Sequence, residues 1–364
     1  PAAQDFASQA LGGGIYSVHV ERLPSPNPWA VEYEVTSTAT VDGAVREVRA
    51  ILQHETFAKY MYFADHMDNI WFISGDSLNG RVHANGHIRM SGSPWFGMKV
   101  TSAKDDFIIW QGSEPIFEGG YELGVPEIPL PVSSEMIASF RESAGEGGMS
   151  FGSLNGGSSK YEVELGRGGT PGYLWYRTYE RHGWWGYSWS SWNSVDISGT
   201  NGVAWFEEPV ELSGILDGQL TVASSEDIFI VDDVVYEDAS PATGPNPGCD
   251  DVLGIASAGD IIVSWTEANQ NDCIIHAHMM ALDESFTVER YNQGPPRGDL
   301  ILYGGFAQKK QGPVGTFHHG GVINHGYSKN YHYDPNLLSN SPPGYPTTGK
   351  YNLVLWEEVV PAGA

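Results

Sequence analysis

Between residues 173 and 194 the chain reads YLWYRTYERHGWWGYSWSSWNS, which sets Trp175, Trp184, Trp185, Trp189 and Trp192 among Tyr173, Tyr176, Tyr179 and Tyr187. Flat apolar rings with polar edges suit sugars and protein surfaces alike, so these tryptophans are the foremost candidates for partner or glycan contact. The competing expectation is that they form the core of a small hairpin subdomain. The alternation in WGYSWSSW puts several rings on one strand face but does not say whether that face is covered.

Other residues carry weaker chemistry. Asp232 with Asp233 and Asp250 with Asp251 are candidate Ca²⁺ ligands, as is the pair Asp105 and Asp106, although none follows the twelve-residue loop spacing and solvated acidic turns are the alternative. His318, His319, His325 and His332 stand near Asp334, donors suited to zinc or copper but without the spacing of a compact site. Cys249 and Cys273 bracket a loop that a bridge would stabilise by ~3 kcal/mol, with two buried thiols as the alternative. The RGD at 297 to 299 opens the apolar run DLILYGG and reads as a strand corner. No nucleophile elbow, HExxH helix or phosphate loop is present, so no catalytic residue is singled out and no cofactor is implied beyond the Ca²⁺ candidates.

The elements that would position these residues are mainly β. With 45 Gly and 22 Pro in 364 residues, long helices are disfavoured. The excess of 45 Asp and Glu over 19 Lys and Arg gives a formal charge of -26, which repels nucleic acid and anionic lipid. IYSVHVERL, WAVEYEVTSTATV and AVREVRAIL, divided by PSPNP and DG, predict an antiparallel meander, and QDFASQALGGG ahead of them predicts the tail of a helix stopped by glycines. Further on, a turn followed by alternating residues recurs as NGHIRM at 85, DGQLTV at 217, AGDIIV at 258, DESFTV at 283 and RGDLIL at 297. Gly, Asn and Asp serve the bends while the apolar residues face a narrow interior, which predicts a parallel β-helix (β-solenoid) with Ile88, Leu220, Val222, Ile262 and Val288 inward. A β-sandwich is the alternative. The predicted division is a pilin-like helix tail and meander over 1–60, first solenoid coils over 61–110, an aromatic-rich insertion with one short helix over 111–203, and remaining solenoid with a C-terminal cap over 204–364.

FAKYMYFADHMDNIWFISGDSLNGRVHANGHIRMSGSPWFGMKVTSA, GILDGQLTVASSEDIFIVDDVVYED and LGIASAGDIIV together resemble a poorly characterised bacterial surface family that follows a PilX-type, type IV pilin-like N-terminal helix. The layout is similar to that of ComZ-type minor pilins, in which a β-solenoid is inserted into a pilin-like sheet. The resemblance implies export, an extracellular or pilus location, and pilin or filament subunits as partners; self-association and surface glycan are further partner candidates raised by the aromatic segment. An exported setting favours bridging of Cys249 and Cys273. No run of apolar residues is long enough to cross a membrane, and the start at Pro1 fits a processed product. The reading is therefore a non-enzymatic surface protein serving assembly, adhesion or surface contact, with a β-helical polysaccharide lyase or hydrolase as the alternative.

Overall fold

The computed structural model describes residues 3–24, 31–67, 70–183, 186–240, 243–318 and 322–359. The protein is mainly β and divides into two compact units, residues 1–56 with 347–364, and residues 57–346. No helix among the described residues is long and apolar enough to cross a membrane.

The first unit is an antiparallel sheet in the order Ala3–Leu11, Gly14–Arg22, Glu32–Val41, Ala44–Thr56, Thr347–Val359. The meander expected from the sequence is present, but the expected helix tail is not: Ala3–Leu11 is a strand that turns at Gly12, φ 59°, and pairs back on Gly14–Arg22. The glycines that would stop a helix also serve a hairpin, and cross-strand pairing decides between them. Most of the PSPNP turn lies outside the described residues. The last strand, expected within a solenoid cap, instead joins this sheet beside Ala44–Thr56.

The second unit is built from parallel ladders, each step of which pairs strands distant in sequence. The longest runs in space from Met149–Phe151 through Val203–Phe206, Gln219–Ser224, Val252–Ser257 and Cys273–Ala281 to Pro296–Lys310, then onward to Tyr62–His66, Val82–Ala84, Val100–Ser102 and Tyr121–Leu123. The chain thus enters this ladder midway, at Tyr62, proceeds to one end at Leu123, and resumes at the other end at Met149. Residues 124–148 make the crossing. Asn85 fixes its start, donating from Nδ2 to Ile128 O at 2.8 Å and accepting from Ile128 N at 3.0 Å. The crossing ends in the α-helix Ser133–Gly145, the one short helix expected, whose Met136, Phe140 and Ala144 recur at helical spacing and are buried.

A second parallel ladder pairs Lys160–Gly166, Val210–Leu216, Ile228–Tyr236, Ile261–Val263 and Phe286–Val288. The segment expected as an insertion therefore contributes strands in register with its neighbours: Ile116–Phe117 and Tyr121–Leu123 extend ladders begun by 61–110, and Lys160–Gly166 ends the second. Ile88, Leu220, Val222 and Val288 are buried as expected. Ile262 is not; Ile261 and Val263 take the interior positions and Ile262 faces out. Ile261 and Val263 pair with the buried Phe286 and Val288, so Ile262 stands beside Thr287 on the outer side of the ladder.

A segment near the C-terminus crosses the steps of the long ladder and buries a histidine. His278 Nδ1 lies 2.7 Å from Tyr345 Oη, and its Nε2 lies 3.0 Å from Tyr60 O. Thr221 donates to Pro343 O at 2.6 Å, and a Cβ on Gly254 would come within 2.8 Å of Pro342 Cβ, so only glycine admits the segment there. His276 accepts from Tyr236 N at 3.2 Å and is also fully buried. Burial pushes the imidazole of His276 down to about 4 and that of His278 down to about 3.

Above pH 6.5 these rings are neutral in both folded and unfolded chain. Below it the unfolded chain takes up the protons first. The stability these two rings contribute is therefore fully present above pH 6.5 and is lost as the pH drops, His276 alone accounting for roughly 3 kcal/mol of the loss by pH 4. Urea unfolding between pH 7 and pH 4 should show this slope, and His276→Asn should flatten it by about that amount.

Candidate contact surfaces

The hairpin built on Lys160–Gly166 and Thr170–Arg181 carries the aromatic segment. Its cross-strand pairs Glu164 with Trp175, Glu162 with Arg177 and Lys160 with Tyr179 put acid, base and ring on one face. Tyr187–Trp189 and Asn193–Asp196 add antiparallel edges, placing Trp189 opposite Tyr179. The guanidinium of Arg177 lies 4.4 Å from the Trp189 ring and 4.7 Å from the Trp192 ring. Arg167 lies 4.5 Å from Trp192. Trp189, Arg177, Trp192 and Arg167 thus form a continuous chain of cation–π contacts. Glu162 holds Arg177 at 2.5 Å, Glu211 holds Lys160 at 2.5 Å, and Trp175 donates to Thr170 Oγ1 at 2.9 Å. Trp175, Trp189 and Trp192 are half-buried, and Trp184 and Trp185 lie outside the described residues. Spacing alone could not reveal the stack, because Arg177 and Arg167 reach the rings across strands.

The acidic pairs prove to be corner pieces of the ladders. Asp233 accepts from Ile274 N at 2.8 Å, and Asp232 accepts from Asp233 N at 2.8 Å. Asp251 accepts from Gly218 N at 2.7 Å and Asp238 N at 3.3 Å, while Asp250 is exposed. Asp227 accepts from Asp260 N at 2.8 Å, and Asp260 accepts from Glu284 N and Ser285 N, each at 2.9 Å. Burial raises the carboxyls of Asp233, Asp251 and Asp260 despite these bonds. The RGD is a corner as well: Asp299 N donates to Asp272 at 2.8 Å, and Arg297 is buried against Trp265 at 4.1 Å. No group of three His, Cys, Asp or Glu among the described residues is arranged around a metal position. His318 is exposed, His325 bonds Gly294 O, His332 stacks on Tyr303, and His319 lies outside the described residues.

Cys249 and Cys273 are not bridged, contrary to expectation. Cys273 begins a ladder strand beside Leu300, whereas Cys249 sits in a turn with its Sγ 3.6 Å from Asp251 Oδ2. Both are buried, and burial pushes the Cys249 thiol up to about 12 and Cys273 higher.

The sheet of the first unit has two unlike faces. On one, Asp5, His19, Thr36, Arg49 and Glu357 form a row, Arg49 donating to Glu34 at 2.6 Å and Glu357 at 3.1 Å. On the other, Val20, Val35, Ala50 and Trp356 form one row, flanked by Phe6 with Val18 and by Tyr33, Leu52 and Leu353. No described residue from Ala3 to Leu52 is buried, and Trp356 is 61% exposed. Strand alternation signals such a face in the sequence, but not that it is left open.

The family model described as Domain of unknown function (DUF4900) matches residues 28–104. No curated protein matches the chain. Among solved structures, the chain is similar to the competence-associated pilin ComZ from Thermus thermophilus, with 11% identity, coverage of 98% of this chain and 87% of that one, and a TM-score of 0.40.

Two outcomes follow. Arg177→Ala, which removes two cation–π contacts and an ion pair, should lower stability by about 1–3 kcal/mol and change the near-ultraviolet circular dichroism of the tryptophans. Alkylation under denaturing, non-reducing conditions should label both Cys249 and Cys273, whereas the folded protein should resist labelling.

Proposed function

We propose that the chain is an exported, non-enzymatic surface or filament-associated protein, in which a pilin-like antiparallel sheet joins the assembly and the parallel ladders form a β-solenoid that displays contact surfaces. The observation that carries this reading is the apolar face of the first unit. Phe6, Val18, Val20, Val35, Leu52, Leu353 and Trp356 share one side of a sheet that is the only layer its unit possesses among the described residues. Each Å² of such surface removed from water is worth roughly 25 cal/mol, and isolated soluble chains rarely leave patches beyond a few hundred Å² uncovered. A filament subunit or a second copy is the partner that this face fits.

Sequence resemblance to exported pilin-like surface proteins in the blocks from Phe57 to Ala103 and from Gly214 to Val263 supports the location. The disposition of the acids supports a non-enzymatic reading. Carboxyls with raised affinity for protons, which in a cleft would be acid–base candidates, are here engaged by backbone N–H groups of the next ladder step. The stack of Trp189, Arg177, Trp192 and Arg167, with Trp175 beside it, is proposed as a second contact, toward a neighbouring subunit.

Replacing Leu353 and Trp356 together by Ser tests the proposal. Sedimentation velocity should show concentration-dependent association of the unaltered chain, or its co-sedimentation with surface filaments, lost in the variant with thermal unfolding of residues 57–346 unchanged. Association that survives both substitutions would contradict the assignment.

A further inference from the structure

We infer that residues 57–346 hold a binding site for a neutral oligosaccharide, in a cleft of about 480 Å³ beside the hairpin of Gly315–Phe317 and Ile323–His332, whose second strand pairs with Pro296–Lys310. Ligand sites are commonly clefts of this size with mostly apolar walls and a few placed polar groups. The walls here include the rings of Trp71, Tyr291 and Phe317, the last 48% exposed. Such rings pack against the C–H faces of sugars while leaving the hydroxyl edges free to bond.

The floor supplies the polar groups. Asp76 is 8% exposed and accepts from Lys329 Nζ and from Ile73 N, both at 3.0 Å and both on Oδ2. Its Oδ1 receives neither bond and is available as an acceptor, while the ammonium retains donors. Neighbouring hydroxyls on one sugar ring are matched by an acceptor and a donor held side by side. Thr316, also lining the cleft, has a buried Oγ1 with no hydrogen-bond partner among the described residues. An enclosed hydroxyl left unpaired costs about 1–3 kcal/mol, which a ligand hydroxyl would recover.

Charge selects among glycans. The Asp76–Lys329 pair is neutral overall, and the chain carries a formal charge of -26, so a polyuronate or sulfated polymer is repelled where an uncharged one is not. The aromatic surface also continues past the cleft: Trp71 meets Trp110 edge-on at 5.9 Å, and Trp110 is 62% exposed. That continuation fits a chain of sugar rings rather than a single one. By contrast, Trp192 already carries two guanidinium groups, Arg167 at 4.5 Å and Arg177 at 4.7 Å.

Titration calorimetry with maltohexaose, cellohexaose and mannohexaose, alongside a hexagalacturonate, tests the inference. At least one neutral hexasaccharide should bind and the anionic one should not. Trp71→Ala should weaken binding roughly tenfold or more, and Thr316→Val, which keeps the shape, about fivefold. Circular dichroism identifies any variant that fails to fold, and Thr316→Val preserves the test if Trp71→Ala does. Absence of binding by all three neutral sugars, equal binding of the hexagalacturonate, or binding indifferent to Thr316→Val and to a folded Trp71→Ala would overturn the assignment.

Discussion

Parallel pairing between strands remote in sequence is the constraint on which residues 57–346 depend. A parallel neighbour cannot be reached by a tight turn, so each step must close a loop whose corner hides backbone donors from water. Carboxylates supply the acceptors: Asp227 takes Asp260 N, Asp260 takes Glu284 and Ser285 N, Asp233 takes Ile274 N, and Asp272 takes Asp299 N. Part of the acidity is thus structural, held at the corners against the cost of burying it. The same constraint explains the crossing over 124–148. A chain that enters the ladder midway and extends to one end must carry a segment past its earlier steps to fill the other.

The inward positions were legible because the ladders need a turn residue followed by alternation, and Leu220, Val222 and Val288 obey it. Ile262 shows the limit. In each of the five units the fourth and sixth residues face in, whereas Ile262 is the fifth of AGDIIV, and with a period of two a displacement of one place exchanges inside for outside. QDFASQALGGG misled because a glycine cluster ends helices and hairpins alike, and only its partner strand Gly14–Arg22 resolves it. Contacts between distant residues left no local trace: Tyr345 on His278, Arg177 between two tryptophans, and Thr347–Val359 returning to the first sheet. Cys249 and Cys273 suggested a bridge through loop length and exported setting, yet each has its own buried surroundings.

The surfaces differ in what they can receive. The apolar rows of the first sheet suit a broad protein partner, since they provide area and few hydrogen-bonding groups. The arginine–tryptophan stack is already satisfied internally and offers guanidinium edges and ring rims. The cleft near Trp71 is polar at its floor and aromatic at its walls, which suits the proposed glycan. Assembly and recognition are in this account assigned to separate surfaces.

The central claim is that the apolar face of the first sheet is covered in the working assembly. Carbene footprinting read by mass spectrometry, on the dilute purified chain and on the same chain in its native cell-surface or filament setting, tests it directly. The account predicts heavy labelling of Phe6, Leu353 and Trp356 in the purified chain and strong protection in the native setting. Equal labelling of all three in both settings would contradict it.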